Sequence, residues 1–134
     1  MALVSRAITL QTQAADVWAA IGGFQALPDW HPAVATSGQE EIGGVEHRRL
    51  GLEGGGEILE KHWGAGPMSY AYEILESPLP VADYRAMLCI TPTGNGTATV
   101  VWASSFTPTD SSAEDVIGGI FDAGLKALAE RFGH

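Results

Sequence analysis

The sequence predicts an α+β domain in which a series of β-strands packs against one long C-terminal helix. Two observations lead to this prediction. From Val34 to Phe106, short strand-like segments follow one another with only brief breaks between them. The stretch after Pro108 then carries apolar residues at a helical period of 3.6. Short connections join antiparallel neighbours, so the strands are expected to form one antiparallel layer facing the helix.

The chain is predicted to begin with one strand and two short helices. Leu3–Leu10 reads as the first strand. Thr12 can cap a helix over Gln13–Ile21, which a pair of glycines then ends. A second helical turn over Phe24–Leu27 is expected to end where Pro28 begins a loop.

Six further strands are predicted in the middle of the chain. Glycine or proline occurs in every break between them, as is typical of turns. The predicted strands are Val34–Glu41, Val45–Leu52, Glu57–Trp63, Met68–Glu76, Tyr84–Thr91 and Thr97–Phe106.

The final helix carries glycines inside it, and these need an explanation. Ser111 and Glu114 fit a capping box at its start. Each internal glycine costs about 1 kcal/mol relative to alanine. Either the helix approaches the sheet closely at these points, or small residues leave a cavity there, and we favour the cavity because concave apolar sites bind ligands. The glycines are Gly118, Gly119 and Gly124.

Composition limits the classes of partner. The 134 residues are expected to form one domain, and the net charge of −9 argues against nucleic acids and anionic membrane surfaces. Cys89 is the only cysteine, so no internal disulfide can form. No signal peptide or membrane-spanning segment is apparent, and we expect a cytoplasmic monomer or homodimer without a cofactor. The four histidines lack metal-binding spacing, so no metal site is predicted.

The order and spacing of a set of residues along the whole chain resemble those of a known family. These residues are Val17, Trp18, Ile21, Phe24, Leu27, Trp30, Pro32, Arg49, Glu60, Tyr72, Leu79, Pro80, Tyr84, Pro92, Trp102, Phe106, Gly124, Leu125 and Leu128. The chain resembles the polyketide cyclase/dehydrase branch of the START and pollen-allergen (SRPBCC) superfamily. The resemblance implies the helix-grip fold, a seven-stranded curved antiparallel sheet around the long helix with two short helices between the first two strands. It also implies a deep apolar cavity, but no single activity.

A similarity to the plant abscisic acid receptors suggests which residues line that cavity. The resemblance maps a cavity carboxylate and a cavity tyrosine onto Glu60 and Tyr84, and maps helix positions onto Val116, Ile120 and Gly124. Two departures argue against hormone binding of that kind. The second strand has no basic residue where those receptors use a lysine, and a glycine-rich segment, 51–56, replaces their gate loop.

Glu60 is the strongest candidate for a residue that binds a ligand or takes part in catalysis. Strand alternation places it on one face with Ile58 and His62, and inside an apolar cavity its pKa would rise. We favour an internal ion pair with Arg48 or Arg49 first, a ligand contact second, and a catalytic base third. The two arginines are adjacent and must point to opposite faces. The resemblance favours Arg49 for the cavity.

Aromatic and histidine side chains complete the candidate site. Tyr70, Tyr72 and Tyr84 could each present a hydroxyl to a ligand while their rings line the wall, and Trp102 could extend that wall. Core packing is the alternative for all four. His62 could titrate beside Glu60, although a half-exposed strand end is the more frequent setting. His31, between Trp30 and Pro32, is expected to face solvent or to cap a helix.

Three functions remain open from the sequence. The first is a binder or carrier of a small hydrophobic molecule that is lipid-, polyketide- or aromatic-like. The second is a polyketide cyclase or dehydratase in which Glu60 abstracts a proton and Arg49 or a tyrosine stabilises the enolate. The third is a module that binds another protein.

Overall fold

The computed structural model describes all 134 residues and contains seven strands and three helices. The strands are β1 (Ala2–Leu10), β2 (Val34–Ile42), β3 (Val45–Leu52), β4 (Glu57–Gly66), β5 (Ser69–Glu76), β6 (Val81–Gly94) and β7 (Thr97–Pro108). The helices are α1 (Ala14–Ile21), α2 (Leu27–Trp30) and α3 (Ala113–Phe132). The predicted order of one strand, two short helices, six strands and a long helix is confirmed.

All seven strands form one antiparallel sheet in the order β1-β7-β6-β5-β4-β3-β2. Hairpins connect β2 through β7, whereas β1 is separated from β2 by the two short helices and pairs with β7 at the other edge. Register shifts interrupt β2, β4 and β6, and such bulges bend a sheet. The curved sheet faces α3, which confirms the helix-grip arrangement that the resemblance implied.

The core lies between the inner face of the sheet and α3. Alternate residues of β7 point inward, and Trp102 among them stacks on Phe121 of α3 with ring centroids 4.4 Å apart. Ile117 and Leu128 extend the buried face of the helix. The apolar residues that recur every 3.6 positions in α3 and every two positions in β7 therefore pack together in one interface.

Close approach to buried rings explains one of the three helix glycines, Gly124. A Cβ on Gly124 would lie 2.7 Å from Cδ2 of His31 and 2.9 Å from Cζ3 of Trp102, both of which are too short for carbon atoms. A Cβ on Gly118 would lie 2.5 Å from Nη2 of Arg6, the flexible end of a long side chain. Gly119 faces open space. A cavity is present between the sheet and α3, but none of these glycines lines it.

Two details predicted for the short helices, the cap of the first and the end of the second, are wrong. Thr12 does not cap α1, because its hydroxyl donates to the carbonyl of Phe132 at 2.8 Å and so ties the chain to the end of α3. Pro28 does not end a helix but lies in the first turn of α2, where a missing N–H leaves no hydrogen bond unmade.

The predicted capping box of α3 is absent as well. No side chain caps this helix, and Asp110 instead accepts the Ser112 N–H at 2.8 Å in the turn before it. The helix still begins where the pattern predicted, because its apolar face packs on the sheet. None of the helices combines the length and the apolar composition needed to cross a bilayer.

Candidate functional site

A cavity of about 160 Å³ lies between the inner face of the sheet, α2 and α3. Of its 17 lining residues, 14 are hydrophobic, so the wall is mainly apolar. The lining residues are Leu27, His31, Ala33, Val34, Leu50, Leu52, Glu53, Ile58, Glu60, Tyr72, Ile74, Leu79, Tyr84, Trp102, Ile117, Ile120 and Phe121. They come from α2, α3 and six successive segments of the sheet and its loops, so the whole fold is needed to build the site.

A buried ion pair forms one side of the cavity. Nε of Arg48 donates to Oε1 of Glu60 at 2.7 Å, and both side chains are almost fully buried. Nη1 of Arg48 donates to the carbonyl of Phe24 at 2.7 Å and to the hydroxyl of Tyr70 at 3.2 Å. The guanidinium carbon lies 4.1 Å from the centroid of the Phe24 ring. Arg48 therefore lies behind Glu60 and fixes it in the wall.

Strand alternation in β3 decides which arginine is internal. Arg48 pairs with Glu60 of β4 in register and points inward with Leu50. Arg49 points outward, where its Nε contacts Oε2 of Glu40 at 2.5 Å. The prediction that Arg49 faces the cavity is therefore wrong, and the ion-pair interpretation of Glu60 is correct for Arg48.

Burial raises the pKa values of three acidic groups in the cavity wall. Desolvation raises the pKa of the Glu60 carboxyl, and the charge and hydrogen bond of Arg48 oppose that rise. Burial also raises the pKa of Tyr72 well above its ordinary value and raises that of Tyr84. Both phenols are therefore neutral near pH 7 and can act as hydrogen-bond donors.

The two phenols present neighbouring hydroxyls to the cavity. Their ring centroids are 6.2 Å apart, and both residues line the wall. The Tyr72 oxygen accepts a hydrogen bond from Nε1 of Trp102 at 3.0 Å. The Tyr72 hydroxyl in turn hydrogen-bonds the neighbouring Tyr84 oxygen, which leaves the Tyr84 proton available to a ligand.

His31 lines the cavity as a neutral ring. Its Nδ1 accepts the N–H of Ala33 at 3.1 Å, so its Nε2 carries the proton and donates to the carbonyl of Ile120 at 2.7 Å. Burial lowers the pKa of His31, which favours this neutral form. The ring fits because Gly124 has no side chain. Of the two roles predicted for His31, facing solvent is wrong and capping a helix is confirmed, because His31 is the C-cap residue of α2 and its backbone N–H donates to the carbonyl of Leu27 at 2.9 Å. The unexplained glycine was the signal that could have indicated its burial.

The structure brings together only half of the predicted site. Glu60, Tyr72, Tyr84, Trp102 and Ile120 line the cavity. The others lie outside its wall, so their predicted placement there is wrong. These are Arg49 on the outer face, His62 against the Phe24 ring, Tyr70 beside Arg48, Val116 on α3 and Gly124 against His31.

Strand alternation placed His62 on the correct face but outside the cavity. No register shift lies between Glu60 and His62, and the His62 ring contacts Phe24 and Tyr70 on the inner face, with its centroid 4.7 Å from that of Phe24. Sequence reasoning also missed several aliphatic wall residues that carry no distinctive chemistry. These are Leu27, Leu50, Ile58 and Ile117.

A larger cleft of about 850 Å³ lies on the outer side of the same wall. It forms because β5 and β6 cease to pair beyond Glu73 and Arg85. Ile74 and Tyr84 border both the cleft and the cavity. The cleft carries charged side chains, including Asp83, whereas the cavity is lined mainly by apolar residues, so the cavity is the better candidate for a ligand site.

Comparisons with known proteins agree with this description. The sequence model of a family described as polyketide cyclase / dehydrase and lipid transport matches residues 1–133. An uncharacterized protein from Bacillus thuringiensis is 33% identical, with 98% of each chain covered and a TM-score of 0.90. No curated protein matches the sequence.

More distant solved structures share the fold. A START superfamily protein from Mycobacterium smegmatis is 14% identical, with a TM-score of 0.71 and coverage of 96% of this chain and 92% of that one. The Zhui aromatase/cyclase from Streptomyces sp. R1128 is 15% identical, with a TM-score of 0.68 and coverage of 96% and 88%. At these identities the likeness concerns the fold alone.

Proposed function

Because the chain belongs to the polyketide cyclase / dehydrase and lipid transport family, we propose that it binds a small hydrophobic molecule in the cavity between the sheet and α3. The observation that carries the proposal is the mainly apolar cavity of about 160 Å³ between the sheet and α3. Natural cavities of this kind cost stability unless a ligand or water fills them.

Apolar contact can supply the driving force for binding. Burying an aromatic group removes about 150–250 Å² from water, which is worth about 4–6 kcal/mol at about 25 cal/mol per Å². The loss of translational and rotational freedom offsets much of this gain. Tight binding therefore also needs polar groups of the wall, such as Glu60, Tyr72 and Tyr84.

Replacing Ile120 with tryptophan is expected to block binding. Ile120 is half-buried in the cavity wall on α3, and the larger indole would fill space that a ligand needs. Thermal unfolding with a panel of apolar ligands measures the effect, since a ligand at a hundredfold excess over Kd stabilises the native protein by about 2.7 kcal/mol. We expect the wild type to be stabilised by at least one ligand and Ile120→Trp to lose that stabilisation.

The matched control is Val116→Trp. Val116 lies one turn earlier on the same helix and outside the cavity wall, so this variant should keep the ligand response of the wild type. Loss of the response in both variants, or in neither, would contradict binding in the cavity.

A second candidate function is proton abstraction by Glu60 in a cyclisation or dehydration. The raised pKa of this carboxyl inside an apolar cavity favours it, and the hydroxyl of Tyr84 could donate to an enolate oxygen. Arg49 cannot stabilise the enolate, because it points outward. The ion pair with Arg48 weakens Glu60 as a base, which is why binding is proposed first.

Glu60→Gln separates the two functions. Glutamine keeps an oxygen that can accept from Arg48 but cannot take up a proton at ordinary pH. For an enzyme, we expect turnover of synthetic polyketide chains by the wild type and its loss in the variant, with binding of hydrocarbon ligands, which make no hydrogen bond to the carboxylate, retained. Turnover that survives the substitution would show that Glu60 is not the base.

A further inference from the structure

The size of the cavity limits its ligand. A dry, engineered cavity of about 150 Å³ holds benzene, and the cavity here measures about 160 Å³. It therefore has room for one aromatic ring with a small substituent. A fused-ring compound or an acyl chain exceeds this volume and would extend beyond the cavity.

The polar side of the wall favours a ligand with a hydrogen-bond donor. Oε1 of Glu60 accepts from Arg48, whereas Oε2 accepts no hydrogen bond from the protein and remains accessible. Because Glu60 lines the cavity, this second oxygen can accept a hydrogen bond from a ligand. A ligand carboxylate would instead meet a carboxylate oxygen, which is unfavourable.

The same side of the wall also offers a donor. The Tyr72 oxygen accepts from Trp102 and its hydroxyl hydrogen-bonds Tyr84, so the Tyr84 hydroxyl is the donor that remains for a ligand oxygen. A group that both donates to Glu60 and accepts from a tyrosine satisfies this arrangement. A hydroxyl is the smallest such group.

We propose that the ligand of this cavity is a single-ring phenol whose hydroxyl donates to Oε2 of Glu60 and accepts from Tyr84, with its ring against the apolar wall. The inference rests on the proposed function, because it names the ligand class for the same cavity. The ring enters the space among Leu50, Ile58 and Phe121, with its hydroxyl towards Glu60.

Calorimetric titration of the full chain with matched probes tests this inference. The probes are p-cresol, its methyl ether 4-methylanisole, the oxygen-free p-xylene, the anion p-toluate and the two-ring 2-naphthol. We expect p-cresol to bind about tenfold tighter than 4-methylanisole or p-xylene, which corresponds to about 1.4 kcal/mol. p-Toluate and 2-naphthol should bind more weakly than p-cresol.

Two variants locate the hydroxyl contact. Tyr84→Phe should lower the affinity for p-cresol several-fold while leaving that for p-xylene unchanged. Val116→Ala is the control, because Val116 lies outside the wall, and it should change neither affinity. Equal loss for both probes in Tyr84→Phe would overturn the proposed hydroxyl contact.

The outcomes separate this inference from the proposed function. If 2-naphthol or a long-chain alcohol binds tighter than p-cresol, or if the methyl ether binds as tightly, the phenol inference is wrong while cavity binding stands. If no apolar compound binds, the proposed function fails with it.

Discussion

Replacing Arg48 with methionine is expected to lower the free energy of unfolding by about 3–5 kcal/mol at neutral pH. The substitution leaves the buried Glu60 carboxylate without its partner and removes the contacts of the guanidinium with Phe24 and Tyr70. Most of the loss comes from the uncompensated buried charge rather than from the net worth of the pair. Urea unfolding measures the change.

The loss should shrink in acid. Burial raises the pKa of folded Glu60, and without Arg48 nothing opposes that rise. As the pH falls through this raised pKa, the folded variant takes up a proton before the unfolded chain does, so protonation stabilises the folded state. Above the raised pKa, the full cost of the buried charge remains. Unfolding at neutral pH and again near pH 5 therefore distinguishes a buried charge from simple loss of packing.

Arg49→Met is the control for this prediction. It removes the same side chain from the neighbouring position, but Arg49 is on the outer face with solvent-exposed acidic partners. Exposed ion pairs contribute little, so only a small change with no comparable dependence on pH is expected. A larger loss for Arg49→Met than for Arg48→Met would contradict the assignment of the internal arginine.

Gly124→Ala is expected to destabilise the protein by about 1–3 kcal/mol, although alanine is the better helix former. Its Cβ would be forced against His31 and Trp102, two rings held by hydrogen bonds to Ile120 and Tyr72. Because both rings border the cavity, their displacement should also weaken ligand binding. Thermal unfolding and the ligand titration measure the two effects.

Gly119→Ala is the matched control on the same helix. Gly119 faces open space, so alanine should stabilise α3 by up to about 1 kcal/mol through helix propensity alone. If Gly124→Ala also stabilises the protein, close packing at that position is not the reason for the glycine.

The sequence predicted the fold because each element carried its own period and its own breaks. β7 alternates, α3 repeats every 3.6 residues, and glycine or proline separates the middle strands. The ends of the helices were predicted less well. Thr12 and Ser111 fit local capping rules, but Thr12 contacts the distant Phe132, and such tertiary contacts are not visible in a local pattern.

The site was harder to predict because it depends on which face of each strand points inward. Glu60 and its pairing with an arginine were predicted, but adjacent Arg48 and Arg49 are equivalent in the pattern until the register with β4 is known. His31 lies in the connection between α2 and β2, and it becomes buried only because α3 packs against it. The wall of the cavity is mostly aliphatic, and aliphatic residues in a wall and in a core have the same sequence pattern.

Mapping ligand binding by methyl NMR tests the central claim most directly. Titration with small apolar compounds, p-cresol among them, should shift the methyl signals of Leu50, Ile58 and Ile117, which line the cavity on β3, β4 and α3. Leu3, on the exposed outer surface, serves as the internal reference and should not shift. Shifts confined to residues of the outer cleft such as Leu75 and Val81, or no shift with any compound, would contradict a ligand site between the sheet and α3.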